Sequence, residues 1–190
     1  MTIIYQYSSF SSAYPCGVGS GRVIQLNDGS RRNVLVWEDC GVDNSHEKRV
    51  MTHAQLTNGA SKQNAGLVLN YHLVDPFTNP RYEYFVAQIN RLDNKVELLR
   101  FNGSLLITEN AATPSMPFNL GDWYRIEAET EDAGDDDTRI TVTVTGVTDP
   151  SWPQVSFAVT LSSWGEPDGY FGMHTTRAVS NFSIWRIEDA

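Results

Sequence analysis

The sequence predicts an all-β protein in which roughly a dozen short strands fold as a two-sheet sandwich or a barrel. Three observations carry that prediction. First, residues 139–146 alternate Ile140, Val142 and Val144 against Thr141, Thr143 and Thr145. A strict period of two in β-branched residues marks a strand with one buried face. Second, residues 122–130 answer that strand, with Tyr124, Ile126 and Ala128 on one face and Trp123, Arg125, Glu127 and Glu129 on the other. The acidic stretch 131–137 between them is too charged to bury, so the pair reads as an antiparallel hairpin closed in water. Third, turn chemistry recurs along the chain and no stretch keeps a helical period.

Taken in order, residues 1–20 read as irregular, with serine pairs, Pro15 and a glycine-rich stretch at 17–21. Those glycines do not make a phosphate cradle, because no helical pattern follows them and no Lys-Ser/Thr pair closes them. Residues 22–26 are a strand, Asn27-Asp28-Gly29-Ser30 a turn, and 33–38 the returning strand. A polar segment, 39–46, leads to a strand at 47–56, a loop at 57–64 and a strand at 65–74. Pro76 and Pro80 remove ladder donors and stop pairing across 75–80. Strands at 82–90, 95–101 and 104–109 are joined by turns at Asp93-Asn94 and Asn102-Gly103. Residues 111–121 are a loop feeding the hairpin. After it come a loop at 148–153, a strand at 154–162 with Val155, Phe157, Val159 and Leu161 on one face, and a turn at 163–169. The last strands are 170–174 and 180–187. With no repeat, linker or low-complexity tract, residues 1–190 read as one domain.

Composition narrows the function. The chain has 190 residues, 41% hydrophobic and 11% aromatic, enough for a packed core. Its net charge of -9 and pI near 4.8 repel phosphate backbones and anionic lipid, so neither nucleic acid nor a membrane surface is an expected partner. No apolar run approaches the ~20 residues that span a bilayer. The first residues hold no basic stretch followed by an apolar core, so they are not a secretory signal and synthesis in the cytoplasm is expected. Cys16 and Cys40 either pair or stay free, and free buried thiols are the simpler reading.

The order of segments resembles the concanavalin A-like lectin/glucanase superfamily, closest to its laminin-G-like and glucanase-like domains. The residues that carry this are Ala65-Gly66-Leu67-Val68-Leu69, Tyr82-Glu83-Tyr84-Phe85-Val86, and Val96-Glu97-Leu98-Leu99-Arg100 with Asn102-Gly103. Gly121-Asp122-Trp123-Tyr124-Arg125-Ile126 resembles the family's Gly-x-Trp-Tyr strand. Gly169-Tyr170-Phe171-Gly172-Met173 and Val179-Ser180-Asn181-Phe182-Ser183-Ile184 resemble its closing pair. The resemblance covers residues 65–188 and implies a jelly-roll sandwich of two curved antiparallel sheets. Relatives often carry Asp where this chain has Ser180, so a carboxylate role does not carry over there.

Glucanases of that superfamily place paired carboxylates on alternate residues of one strand, so that both face one cleft. Here Glu166-Pro167-Asp168 begins such a pattern without a second Glu, and Glu127 and Glu129 share a face that reads as solvated. The chain is therefore expected not to be an enzyme. Asp132, Asp135, Asp136 and Asp137 offer hard oxygen ligands that suit Ca²⁺, although such a run commonly only solubilises a hairpin tip. No other cofactor is implied, and His46, His53, His72 and His174 show no metal spacing. Trp152, Trp164, Tyr170 and Tyr14 lie in or beside loops. They either stack sugar rings or, for Trp152 and Trp164, seal the ends of the sandwich. Trp37, Trp123 and Trp185 fall in strands and read as packing residues.

These features point to a non-catalytic, lectin-like module that recognises a glycan or a protein surface through its loops, alone or as an oligomer. A second reading is a structural or decoration component of a phage-type particle (tail, fibre or capsid), partnered with other virion subunits. A polysaccharide-active enzyme is the third.

Overall fold

The hairpin forms as its alternation requires. In the computed structural model, which describes residues 24–37, 48–74, 81–135, 137–162 and 169–189, β6 (Trp123–Gly134) pairs with β7 (Asp137–Gly146). Ile126, Ala128, Ile140, Val142 and Val144 are fully buried, while Thr141, Thr143 and Thr145 stay on the wet side. The remaining strands are β1 (Ile24–Trp37), β2 (Lys48–Val74), β3 (Arg81–Asn90), β4 (Lys95–Asn102), β5 (Leu106–Ala112), β8 (Val155–Leu161) and β9 (Tyr170–Asp189). All pairings are antiparallel, and no helix occurs among the described residues. Consequently none is long and apolar enough to cross a membrane.

Three expected interruptions are absent. The sequence predicts strand, turn and strand within 22–38 and again strand, loop and strand within 47–74, yet β1 and β2 run through both. β9 likewise joins the two closing strands. Each of these long strands passes from one sheet into the other. Residues 49–55 of β2 pair with β6, while 64–74 pair with β3. The second half of β9 follows the first half of β2, and the first half of β9 follows the second. Register slips where the passage occurs, between Asp28 and Arg32 on β1 and across 56–64 on β2. Asn27-Asp28-Gly29 and Asn58-Gly59 thus bend a continuous strand instead of reversing it, a use of turn residues that local sequence does not separate from a hairpin.

The result is a two-sheet antiparallel jelly-roll sandwich. One sheet runs β8, β7, β6, then the first half of β2. The other runs β5, β4, β3, then the second half of β2. Both continue through β9 to β1. Leu67, Leu69, Phe85, Ala87, Ile89, Val96, Leu98, Phe171 and Met173 point from the second sheet toward Val50, Ala54, Ile126, Val142 and Val144 of the first. Apolar burial between the layers, at about 25 cal/mol per Å², contributes most to holding them together. Val155, Phe157, Val159 and Leu161 of β8 close that core at one edge.

Candidate functional site

The second sheet has a further apolar and polar layer on the side away from the core. The pairing register arranges it in cross-strand rows. Tyr71 of β2 lies opposite Tyr170 of β9, and Tyr84 of β3 lies opposite Phe101 of β4. Tyr71 stacks on Tyr82 with ring centroids 4.9 Å apart and planes 22° from parallel. Tyr84 contacts Tyr71 at 5.4 Å and Phe101 at 4.9 Å. Val68, Val86 and Leu99 form the next row of this cluster, and Tyr82, Leu106 and Tyr170 are its partly exposed margin.

A bulge puts the central tyrosine there. Asn70 takes a positive φ of 53°, and the β2 register slips between Leu69 and His72 against β3 and between Val68 and Tyr71 against β9. Alternation would send Tyr71 into the core beside Leu69. The extra residue returns it to the outer face. His72 Nδ1–H donates to the Asn70 carbonyl at 2.9 Å, and Gly169 passes so close to Asn70 that a Cβ would lie 2.7 Å from the Asn70 Cα.

Further along the same face the rows turn polar. Gln88 of β3 lies opposite Glu97 of β4, and His174 of β9 opposite Gly66 of β2. Asn64 of β2 lies opposite both Asn90 and Thr176. Gln88 Nε2 donates to Glu97 at 2.7 Å, and Asn90 Nδ2 donates to the same carboxylate at 3.3 Å and to Asp93 at 2.9 Å. His174 is buried with Nε2 2.9 Å from the Thr176 hydroxyl. Aromatic rings thus stand at one end of a sheet face and amides with a carboxylate at the other.

Of the described residues expected to bind ligand, Tyr170 lies on this face and Trp152 does not. Trp152 is 4% exposed and is a core residue, its ring 5.0 Å from Phe118 and 5.3 Å from Tyr124. Its indole N–H donates to the Pro117 carbonyl at 3.3 Å. That burial corrects its reading as a stacking platform, since no ring face is open to a sugar. It is the end seal, as the 148–153 turn requires: Trp152 N donates to the Asp149 carbonyl. Two bonds from Ser151, the hydroxyl first, hold the Asp149 carboxyl below its usual range. Burial likewise pushes the Tyr124 phenol up, against a bond from Asn119 N. Tyr170 is half-buried and packs against the aromatic cluster. Tyr14, Trp164, Cys16, Cys40 and His46 lie outside the described residues, as do the side chains of Trp37 and Trp185. Trp123 is half-buried on the outer face of the hairpin.

Two of the described carboxylates of the acidic turn bond within the protein. Asp132 caps Gly134 N at 2.7 Å and Asp137 accepts from Ser162 Oγ at 3.3 Å. Asp135 is exposed in a left-handed turn conformation with φ 55°, and Asp136 lies outside the described residues. Among the described residues no three His, Cys, Asp or Glu side chains come close enough together to hold a metal. Asp132 thus caps its own turn and Asp137 holds the Ser162 hydroxyl.

Glu127 and Glu129 face solvent on the hairpin sheet among arginines. Arg49 reaches Glu129 at 2.8 Å and Glu127 at 3.7 Å, and Arg125 also pairs with Glu127. Beside them His53 is held below its usual range, by burial first and by the Arg125 charge second. Exposed pairs of this kind contribute little. Changing Glu129 to Gln is expected to alter unfolding free energy by at most about 0.5 kcal/mol, as read in a urea melt. A loss several-fold larger would mean that the pair is desolvated.

Comparisons with family models and with curated protein sequences each found no match. Solved structures do match. The carbohydrate binding module CBM66 from Bacillus subtilis superposes with a TM-score of 0.62 at 14% identity, over 86% of this chain and 85% of that one. The marine PL-14 alginate lyase from Aplysia kurodai gives 0.58 at 12%, over 88% and 82%. Arcelin-5, a lectin-like defense protein from Phaseolus vulgaris, gives 0.54 at 12%, over 90% and 83%. At such identities the likeness defines the class of fold, a lectin-type jelly-roll sandwich that hosts both binding proteins and an enzyme.

Proposed function

We propose that this protein is a non-catalytic glycan-binding module that meets its ligand at the partly exposed aromatic margin of the outer face of the second sheet. One observation carries the reading: Tyr82 and Tyr170 are the partly exposed rings of an aromatic cluster on a non-core sheet face, packed against the buried Tyr71, Tyr84 and Phe101. An exposed ring takes the C–H face of a sugar, which is the first requirement for holding one. The margin at Tyr82 and Tyr170 is where a ligand first meets this face. The names of two neighbours, a carbohydrate binding module and a lectin-like protein, support the same reading. The arginine-bound Glu127 and Glu129, on the other sheet, support a site without hydrolysis. Nothing among the described residues or the comparisons favours a virion component.

A glycan array with the purified protein tests this. Tyr82→Ala and Tyr170→Ala are each expected to weaken the retained glycan about tenfold, the worth of one stacked ring, with little change in melting temperature. No reducing ends should be released from that glycan. Full affinity in both variants would overturn the assignment of this face. Steady turnover would overturn the non-catalytic reading.

A further inference from the structure

We infer that β8 is an interaction surface for a second copy of this chain, the two β8 strands pairing antiparallel about a two-fold axis so that the sheet of β6 and β7 runs on through a dimer. The inference is independent of the glycan-binding reading above.

Its basis is an edge strand without the usual protection. Among the described residues β8 pairs with β7 alone and ends its sheet. Such an edge offers backbone N–H and C=O groups to another chain unless a charge, a proline or a bulge blunts it. The sequence Val155-Ser156-Phe157-Ala158-Val159-Thr160-Leu161 holds no charge and no proline. Its register against β7 runs from Val155 to Leu161 without a slip. Val155, Val159 and Thr160 are β-branched and Phe157 is aromatic, the residue types that suit a paired strand. β5, which ends the other sheet, differs on each count. Its ladder slips between Leu98 and Leu99 of β4, and it carries Glu109 in an ion pair with Arg100 at 2.8 Å.

The strand also specifies its partner, because it complements itself. Side chains alternate, so only registers that set odd positions opposite odd positions keep the core face with the core face. The register of this kind that pairs all seven residues is centred on Ala158. It sets Val155 opposite Leu161 of the second copy, Ser156 opposite Thr160, Phe157 opposite Val159, and Ala158 opposite itself. Apolar residues then meet apolar ones on the inner face, and small or hydroxyl residues meet on the outer. Val155, Phe157, Val159 and Leu161 are only partly buried where they pack on the core, so a second strand covers apolar surface that one copy leaves open. Ile107, 37% exposed on β5, adds to that surface, since β5 approaches β8 at this edge. Each chain carries a net charge of -9, yet this contact opposes no carboxylates. A two-fold pairing uses both edges, so assembly closes at the dimer.

Sedimentation velocity of the whole protein over a range of concentration and salt tests this. A dimer is expected, tightening as salt screens the repulsion between the two acidic chains. Ala158 is exposed, so Ala158→Lys should keep the melting temperature. It sets two lysines face to face across the axis and should weaken the dimer at least about tenfold. Ala158→Cys reads the register. Opposed Cα atoms in an antiparallel pair lie about 4.5–5.5 Å apart, within disulfide reach, so mild oxidation should give a covalent dimer. Thr160→Cys, which faces Ser156 in this register, should cross-link far less. Wild-type protein, with Cys16 and Cys40, sets the background. If Ala158→Lys fails to fold, the cysteine pair still decides. A monomer at every concentration and salt would overturn the inference. So would a dimer untouched by Ala158→Lys, equal cross-linking of the two cysteine variants, or open-ended assembly.

Discussion

Replacing Gly66 with alanine is expected to destabilise the protein by about 3 kcal/mol, the upper range for overpacking a filled site. Gly66 lies in β2 opposite Gln88 of β3. A Cβ there would meet the Ala87 carbonyl oxygen and come within 2.7 Å of both Cα and Cβ of Gln88. Those obstacles are backbone or next to it, so no side-chain rotation relieves them, and β3 must move away from β2. The shift displaces Gln88, whose amide orders Glu97. Gly121 supplies the control. A Cβ at that position meets nothing within 4 Å, but its φ of 86° disfavours any L side chain, so Gly121→Ala should cost only about 1 kcal/mol and leave binding intact. Chemical denaturation of both variants checks the pair. A Gly66→Ala protein within roughly 0.5 kcal/mol of wild type would show that the two strands separate more easily than their packing implies.

How much of this is legible in the sequence depends on whether a strand has one wet face. β6 and β7 do, and their alternation names the buried residues correctly down to Tyr124, Ile126, Ile140, Val142 and Val144. β2, β3 and β4 do not. Leu67, Phe85 and Leu98 point to the core, but Val68, Val86, Tyr84, Leu99 and Phe101 between them are buried as well, on the other face. The period of two vanishes, and with it the cue that the outer face differs from the inner. The continuous apolar runs at 65–69 and 84–87 are themselves the signal, because a strand reads that way only when both faces are covered. An aromatic in a loop has an obvious functional reading and one in a strand does not, so local pattern favours Trp152 and Trp164 over Tyr71 and Tyr84. The bulge at Asn70 and the cross-strand rows depend on register over long sequence separations, which composition does not carry.

Trp152 separates the two uses of an aromatic most sharply. Trp152→Ala is expected to cost about 3–5 kcal/mol, the range for emptying a buried tryptophan site. Phe118 and Tyr124 lose a shared ring partner, and the Pro117 carbonyl loses its indole donor. Gly146 sharpens the effect, because a Cβ on it would stand 2.7 Å from the Trp152 Cβ, so the chain has closed around this ring and the void cannot collapse from that side. Trp152→Phe should recover a large part of the loss by refilling the gap between Phe118 and Tyr124, without the hydrogen bond. Glycan affinity, measured well below the lowered melting temperature, should remain at the wild-type value in both. A stacking platform behaves in the opposite way, losing affinity at nearly constant stability, as Tyr82→Ala is expected to do. If Trp152→Ala kept its melting temperature and lost its ligand, the recognition surface would lie at the end of the sandwich, and the sheet face would be left with a packing role alone.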